Sequence, residues 1–358
     1  MYGAAARTVR TAIETGDPLP GTRGFAGEVD GRLVRDVLGR QPLFSERTDP
    51  SAWSRDPTAL DDPVSVPAGH RRTRDGDERV WRLPDPPVER DHATAVVAVR
   101  EAVERSVREI ESEGLAVAFS GGLDSAFVAA GVPDAPCYVV GFPGAQDVET
   151  ARTAAAAMDR DLRVVELGHD DLRRAVPTVA RAIGRTNPMD VGIACSLYLV
   201  AERVAADGFD RLAVGQGADE LFGGYAKVVD PAGDHRVDAE TTRAATREVV
   251  STLPDQLERD VLALRAAGVE PVAPLLHDRV VAAALPLPGD LLATDASRKV
   301  ALRRAADGLV PDPVRATDKK AVQYGSYVAR ELDRLARQNG FKRRMDDHVG
   351  QYVESLLD

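Results

Sequence analysis

Over the first ninety positions apolar residues come in short pieces, such as Leu33-Val34 and Leu43-Phe44, broken every few residues by Gly, Pro, Arg or Asp. That punctuation predicts short strands and hairpins rather than helices. Leu83-Pro84-Asp85-Pro86-Pro87 reads as an extended linker. The pattern then changes: between Asp91 and Gly114, Val96, Val99, Val103, Val107 and Ile110 recur at helical spacing with charges between them. Beyond that helix the periodicity alternates. Leu115 to Phe119, Cys137 to Val140, Leu162 to Leu167 and Arg211 to Val214 read as strands. Val148 to Met158, about 170–183 and 192–206 read as helices. Strands interleaved with helices predict an α/β fold with a parallel sheet covered on both faces, whose ligands bind beyond the carboxyl ends of the strands. From about residue 240 the pattern is mainly helical, with a charged tail after Lys342. The expected division is a β-rich region over 1–90, an α/β domain over 91–335 and a tail over 336–358.

The chain has 358 residues and a net charge of -11, which argues against bulk nucleic-acid binding. No apolar run is long enough to span a bilayer, and Met1-Tyr2-Gly3-Ala4-Ala5-Ala6-Arg7 lacks a signal-peptide core, so a cytoplasmic protein is expected. Cys137 and Cys195 stand alone, without a CxxC or a His companion, and are expected to be buried and reduced. Basic residues are overwhelmingly Arg. The lysines are Lys227, Lys299, Lys319, Lys320 and Lys342, and a residue type this scarce draws attention wherever it occurs.

Two segments carry candidate chemistry. The strand at 115–119 breaks into Ser120-Gly121-Gly122-Leu123-Asp124-Ser125 and then into helical sequence. A parallel strand turning on Gly into a helix N-terminus gathers backbone N–H groups and a positive dipole end, a natural seat for phosphate. Asp124 can hold the Mg²⁺ that accompanies a nucleotide. The Walker spacing is absent; the loop resembles the SGGxDS pattern of the ATP pyrophosphatases. In the second segment the strand 211–214 runs into Gly215-Gln216-Gly217-Ala218-Asp219-Glu220-Leu221-Phe222-Gly223-Gly224-Tyr225. Here adjacent acids bracketed by glycines suit a metal–pyrophosphate group.

Together SGGLDS and GQGADELFGGY resemble the synthetase domain of asparagine synthase, shared with β-lactam synthetase, over about residues 90–330. Val139-Val140-Gly141-Phe142-Pro143-Gly144 resembles the family's adenine-facing strand and loop. Gly268 to Leu276 resembles its GVExRxPFLD segment, and Arg315 to Gly325 its lysine-bearing loop. The resemblance implies a doubly wound sheet of the adenine nucleotide α-hydrolase-like type and AMP-forming activation of a carboxylate, with ammonia displacing AMP to give an amide. Cofactors would be ATP and Mg²⁺. Carried over, Ser120, Gly121, Gly122, Leu123, Asp124, Ser125, Val140, Gly141, Gly215 and Gly217 bind ATP or pyrophosphate. Asp124, Asp219 and Glu220 bind metal. Lys319, with Lys320 as the alternative in register, stabilises the transition state, and Asp219 and Gln216 complete the catalytic group.

The chain also departs from the pattern. Leu33 to Leu43 and Ser65 to His70 resemble pieces of a class II glutaminase domain, but Tyr2 stands where that domain has its nucleophilic cysteine. Glutamine hydrolysis is therefore not expected, because a phenol cannot replace a thiolate. Ammonia would come from solution, or the amine from a separate glutaminase or another donor. The family's GEGxDE has Glu where Gln216 stands, and Gln cannot accept a proton. His277 takes the place of the Asp of PFLD unless Asp278 does so after a one-residue slip. Three readings stay open: amide formation on aspartate, adenylation of another acid or a modified nucleoside, and a silent ATP-binding protein.

Overall fold

A computed structural model describes residues 1–317 and 323–357. The N-terminal region contains β1 (Ala26–Val29), β2 (Arg32–Arg35), β3 (Phe44–Glu46), β4 (Trp53–Ser54), β5 (Pro63–Ser65), β6 (His70–Thr73) and β7 (Gly76–Arg79). They form two antiparallel sheets, ordered β1-β2-β6-β7 and β4-β3-β5, with Ala26, Leu33, Leu43 and Val66 buried between them. One expectation is corrected here: the chain opens with a helix, Ala6–Thr15, which buries Val9 and Ala12. Its apolar face is too narrow to stand out from a Gly/Pro-rich surrounding, yet suffices once a core exists to receive it.

The main body is a five-stranded parallel sheet of β8 (Leu115–Ala118), β9 (Cys137–Gly141), β10 (Leu162–Glu166), β11 (Arg211–Ala213) and β12 (Glu270–Val272), in the spatial order β10-β9-β8-β11-β12. Alternation along the strands explains the two cores. Leu115, Val117, Cys137 and Val139 point to one face, where helices His92–Arg108, Leu123–Gly131 and Gln146–Ala157 cover them. Ala116, Tyr138, Val140 and Leu212 point to the other, under helices His169–Ile183, Pro188–Ala206, Leu253–Ala266 and Gln323–Gln338. A sheet buried on both faces must read as near-continuous apolar runs, as these strands do. The fold is the doubly wound α/β class that the sequence predicts.

Strand β12 has Pro271 inside it. Pro cannot donate to a ladder, but β12 is the sheet edge and among the described residues pairs only with β11, so the missing N–H has no partner to lose. The tail is also more ordered than its charge suggests, since helix His348–Glu354 buries Val349, Tyr352 and Val353. Cys137 and Cys195 are buried and unpaired. No described helix is long and apolar enough to cross a membrane.

The N-terminal sheets are fastened to the main body by buried charge. Arg35, 2% exposed, donates to the Val66 and Gly39 carbonyls and to Glu258 of helix Leu253–Ala266 at 3.0 Å. Asp278 accepts from the Thr22 N–H at 2.7 Å and pairs with Arg40 at 2.7 Å. Arg40 also pairs with Asp36 at 2.8 Å.

Candidate functional site

Strand order decides where a ligand can bind. Chain progression moves from β8 outward to β9 and β10, then returns to place β11 on the other side of β8. The crevice between the carboxyl ends of β8 and β11 is thus the topological switch point, the site at which open α/β sheets bind ligands. Both glycine segments start there. Ser120 to Ser125 leave β8, and Val214 to Glu220 leave β11.

The first loop is built for close approach. Gly121 has φ +72°, and a Cβ there would lie 2.7 Å from the Thr150 carbonyl oxygen, so only glycine fits without strain. Gly122 caps helix Leu123–Gly131, whose first turn carries Asp124. The Ser125 hydroxyl accepts from the Ser120 N–H at 3.2 Å and donates to the Gly122 carbonyl at 3.1 Å, which closes the loop on itself. The second loop touches the first: a Cβ on Gly215 would sit 2.9 Å from the Asp124 Cβ. Gly217, at φ +92°, precedes the short helix Ala218–Leu221 that carries Asp219 and Glu220 in its first turn. Val140 and Gly141 end the neighbouring strand β9, and both are buried.

Lys299 joins the two loops. Its Nζ lies 2.6 Å from Asp124 Oδ2 and 2.6 Å from Asp219 Oδ1, with the lysine side chain 11% exposed. It follows the hairpin β13 (Ala293–Thr294) and β14 (Ser297–Arg298), and its φ of +56° is a region that side-chain-bearing residues seldom adopt. Burial disfavours the ammonium, but the two carboxylates outweigh that cost and raise its pKa. The motifs drew attention to Lys319 and Lys320, which lie outside the described residues. Lys299 was missed as a site residue. Its only sequence signal was the scarcity of lysine.

Asp124 and Asp219 therefore converge on one cationic group, and such a pair of hard oxygen donors fits Mg²⁺. Glu220 is placed differently from the expected three-acid metal set. Its carboxylate accepts the Tyr225 hydroxyl at 2.5 Å, and burial, then the neighbouring Asp219, push its pKa up to about 7. Among the described residues no group of three or more His, Cys, Asp or Glu side chains is arranged to hold a metal.

Gln216 belongs to a different network. Its Nε2 donates to Asp260 Oδ2 at 2.5 Å, and Asp260 pairs with Arg259 at 2.7 Å. Arg259 continues to Asp190 at 2.8 Å, which Arg185 meets at 3.2 Å. Burial raises the Asp260 pKa, with the Arg259 cation opposing. In sequence Arg259-Asp260 is an ordinary helical charge pair, and only its burial marks it. His277 caps helix Asp278–Ala284, and burial with Arg279, Arg23 and Arg40 lowers its pKa to about 4. Asp278 binds Thr22 and Arg40 as described above, so the slip-register alternative fastens the N-terminal region. Tyr2 forms a β-bridge with Ala26, donates to Glu270 at 2.7 Å and has the Arg55 guanidinium 3.7 Å above its ring.

The chain matches a known family over most of its length. Residues 98–240 and 227–355 match the family model described as asparagine synthase. The chain is 28% identical over 295 residues to a putative glutamine-hydrolyzing asparagine synthetase 1 of Methanocaldococcus jannaschii, covering 72% of this chain and 53% of that protein. It is 25% identical over 226 residues to a probable asparagine synthetase of Dictyostelium discoideum, covering 54% and 41%. With asparagine synthetase B of Escherichia coli the identity is 23% over 216 residues, covering 55% and 38%. The chain thus spans about half or less of the length of these curated relatives.

Proposed function

The chain belongs to the asparagine synthase family, and on that footing we propose that it is an ATP-dependent, AMP-forming ligase that activates a carboxylate, with aspartate as the first acceptor to test. The observation that carries this reading is the convergence of Asp124 and Asp219, from two phosphate-type loops, on Lys299 at the switch point of the sheet. In the proposed reaction the carboxylate oxygen attacks the α-phosphorus of ATP, pyrophosphate leaves, and an amine then displaces AMP. Negative charge grows on the leaving pyrophosphate, so the enzyme's task is mainly electrostatic. The backbone N–H groups of 120–125 and the helix dipole behind them bind the departing phosphates. Mg²⁺ held by Asp124 and Asp219 would neutralise pyrophosphate. Lys299, within 2.6 Å of both acids, holds them together, and its ammonium would add positive charge beside the phosphates. Lys319 or Lys320 is proposed to complete the charge set.

Glutamine is not the proposed nitrogen source. Cys137 lies in β9 and Cys195 in helix Pro188–Ala206, both buried, and burial raises both thiol pKa values, so neither offers a thiolate. The decisive experiment is pyrophosphate release from Mg-ATP with aspartate and ammonium, beside Asp124→Ala. Release that is lost in the variant, with AMP and asparagine formed, supports the reading. ATP binding without aspartate-dependent release redirects it to another acid, and absence of ATP binding refutes it.

A further inference from the structure

A cavity of about 600 Å³ runs along the edge strand β12, from Tyr2 and Arg23 at the N-terminal sheets to Gln216 beside the candidate site. Leu257, Val261, Val272 and Leu276 give it apolar walls. Asp210, Arg211 and Glu270 also line it, Glu270 being held by Arg265 and Tyr2, and two further polar parts ask for opposite chemistry. At one, Gln216 is fixed by Asp260. The amide presents Nε2 to the Asp260 carboxyl group at 2.5 Å. Oε1 then remains as an acceptor, which attracts an N–H group and repels a carboxylate.

At the other part are two arginines with spare donors. Arg40 is 4% exposed and commits Nε to Asp36 and Nη1 to the Leu276 carbonyl and Asp278. Its Nη2 is buried without a hydrogen-bond partner among the described residues. Arg23 is half-buried and among the described residues makes a single side-chain hydrogen bond, to the Ser106 carbonyl at 3.0 Å, and its buried Nε has no partner there. Arg23 forms no ion pair with any described residue, and burial lowers its pKa. Unsatisfied buried donors are costly, and guanidinium groups satisfy them best with carboxylate or phosphate oxygens. The volume agrees. A molecule the size of water or ammonia takes up about 30 Å³, whereas pockets for small organic ligands run from about 300 Å³ upward.

We infer that this cavity receives the amine that attacks the activated acid, and that this amine carries its own carboxylate, as an amino acid does, rather than being free ammonia. The inference rests on the amide-forming reading above. The carboxylate binds Arg23 and Arg40, and the amine nitrogen reaches Gln216 Oε1. The nitrogen lone pair then forms the C–N bond to the acyl carbon and the acyl C–O bond to AMP breaks. AMP departs with that electron pair, and the nitrogen loses its surplus proton to water, because Gln216 cannot take it.

Two measurements test this on the full chain. In the first, AMP and amide formation from aspartate and Mg-ATP is followed with glycine, β-alanine and 4-aminobutyrate. Methylamine, ethylamine, propylamine and ammonium serve as matched nucleophiles without a carboxylate. At least one carboxylated amine should exceed its matched amine tenfold or more in kcat/KM. Arg23→Gln should collapse that ratio through KM, and Arg23→Lys should restore part of it. Equal use of both classes, or an unaltered ratio in Arg23→Gln, overturns the inference while leaving the ligase reading intact. The second measurement needs no chemistry: thermal denaturation with 4-aminobutyrate or butylamine and no nucleotide. Stabilisation by 4-aminobutyrate alone, lost in Arg23→Gln and partly kept in Arg23→Lys, supports the site. No difference between the two compounds overturns it. If no acid supports AMP formation, the ligase reading fails and this binding result decides the inference by itself.

Discussion

Replacing Lys299 with methionine keeps the length and apolar stem of the side chain and removes only the ammonium. That ammonium sits 2.6 Å from both Asp124 and Asp219, on side chains 16% and 38% exposed. Removing one partner of a buried ion pair costs about 3–5 kcal/mol. Asp219 is open enough for water to screen it, so the lower end applies, and about 3 kcal/mol is expected. For a chain of this length the entropy of unfolding at the midpoint is roughly 0.75 kcal/mol/K, which makes the loss about 4 °C in Tm. The assay is thermal denaturation with and without Mg²⁺ and no nucleotide. On the proposed reading, Mg²⁺ would have to displace a lysine to reach the acids in the wild-type protein. In Lys299→Met it need not, so Mg²⁺ should raise the Tm of the variant more than that of the parent and recover much of the loss. Urea unfolding checks the free energy independently of temperature. Two results would refute the reasoning. One is a variant as stable as the parent, which would mean that the lysine merely lies near the acids. The other is a destabilised variant indifferent to Mg²⁺, which would mean that Asp124 and Asp219 do not form a cation site.

Other consequences follow from single residues. Burial raises the Glu220 pKa from 4.5 to about 7, so folding favours its protonated form. The associated stability is complete below pH 4.5 and is lost as pH rises through about 7. Glu220→Gln should therefore match the parent in urea near pH 4 and exceed it by about 3 kcal/mol at pH 8; parallel pH profiles would contradict the burial argument. Gly121→Ala forces a Cβ to 2.7 Å from the Thr150 carbonyl at φ +72°. It should cost about 1–3 kcal/mol and abolish protection of the loop by ATP in hydrogen exchange, and a neutral substitution would show that the loop is not held as described. Asp278→Ala strips the buried Arg40 of one of its two carboxylates and releases Thr22. A loss of about 3–5 kcal/mol is expected in urea unfolding, with the N-terminal region cleaved faster by protease.

The residues that could be read directly are those whose geometry depends on near neighbours. Ser120 to Ser125 and Gly215 to Glu220 each join a strand to a helix within a few residues, and the backbone needs of that turn leave a mark in glycine and acid spacing. The strands β8 to β11 could be read for a similar reason, because burial on both faces demands unbroken apolar runs. Strand β12 could not. Pro271 is a valid warning against a strand, and only its place at the sheet edge cancels the warning. The helix Ala6–Thr15 and the docked helix His348–Glu354 escaped notice because their buried faces amount to two or three side chains each.

What the sequence by itself determined is the α/β order, the two glycine-bearing strand-to-helix loops and the acids Asp124 and Asp219 in the helix turns that follow them. What only the tertiary structure decided is which cation those acids share, where the Gln216 amide points and what role Arg35, Arg40 and Asp278 play. Lys299 is 175 positions from Asp124, and Asp260 is 44 from Gln216. Interactions across such separations carry no local periodicity, and a charged residue that will be buried looks in sequence like one that will stay in water. Burial changes its energetics from near zero to several kcal/mol, and burial is a property of the packed chain.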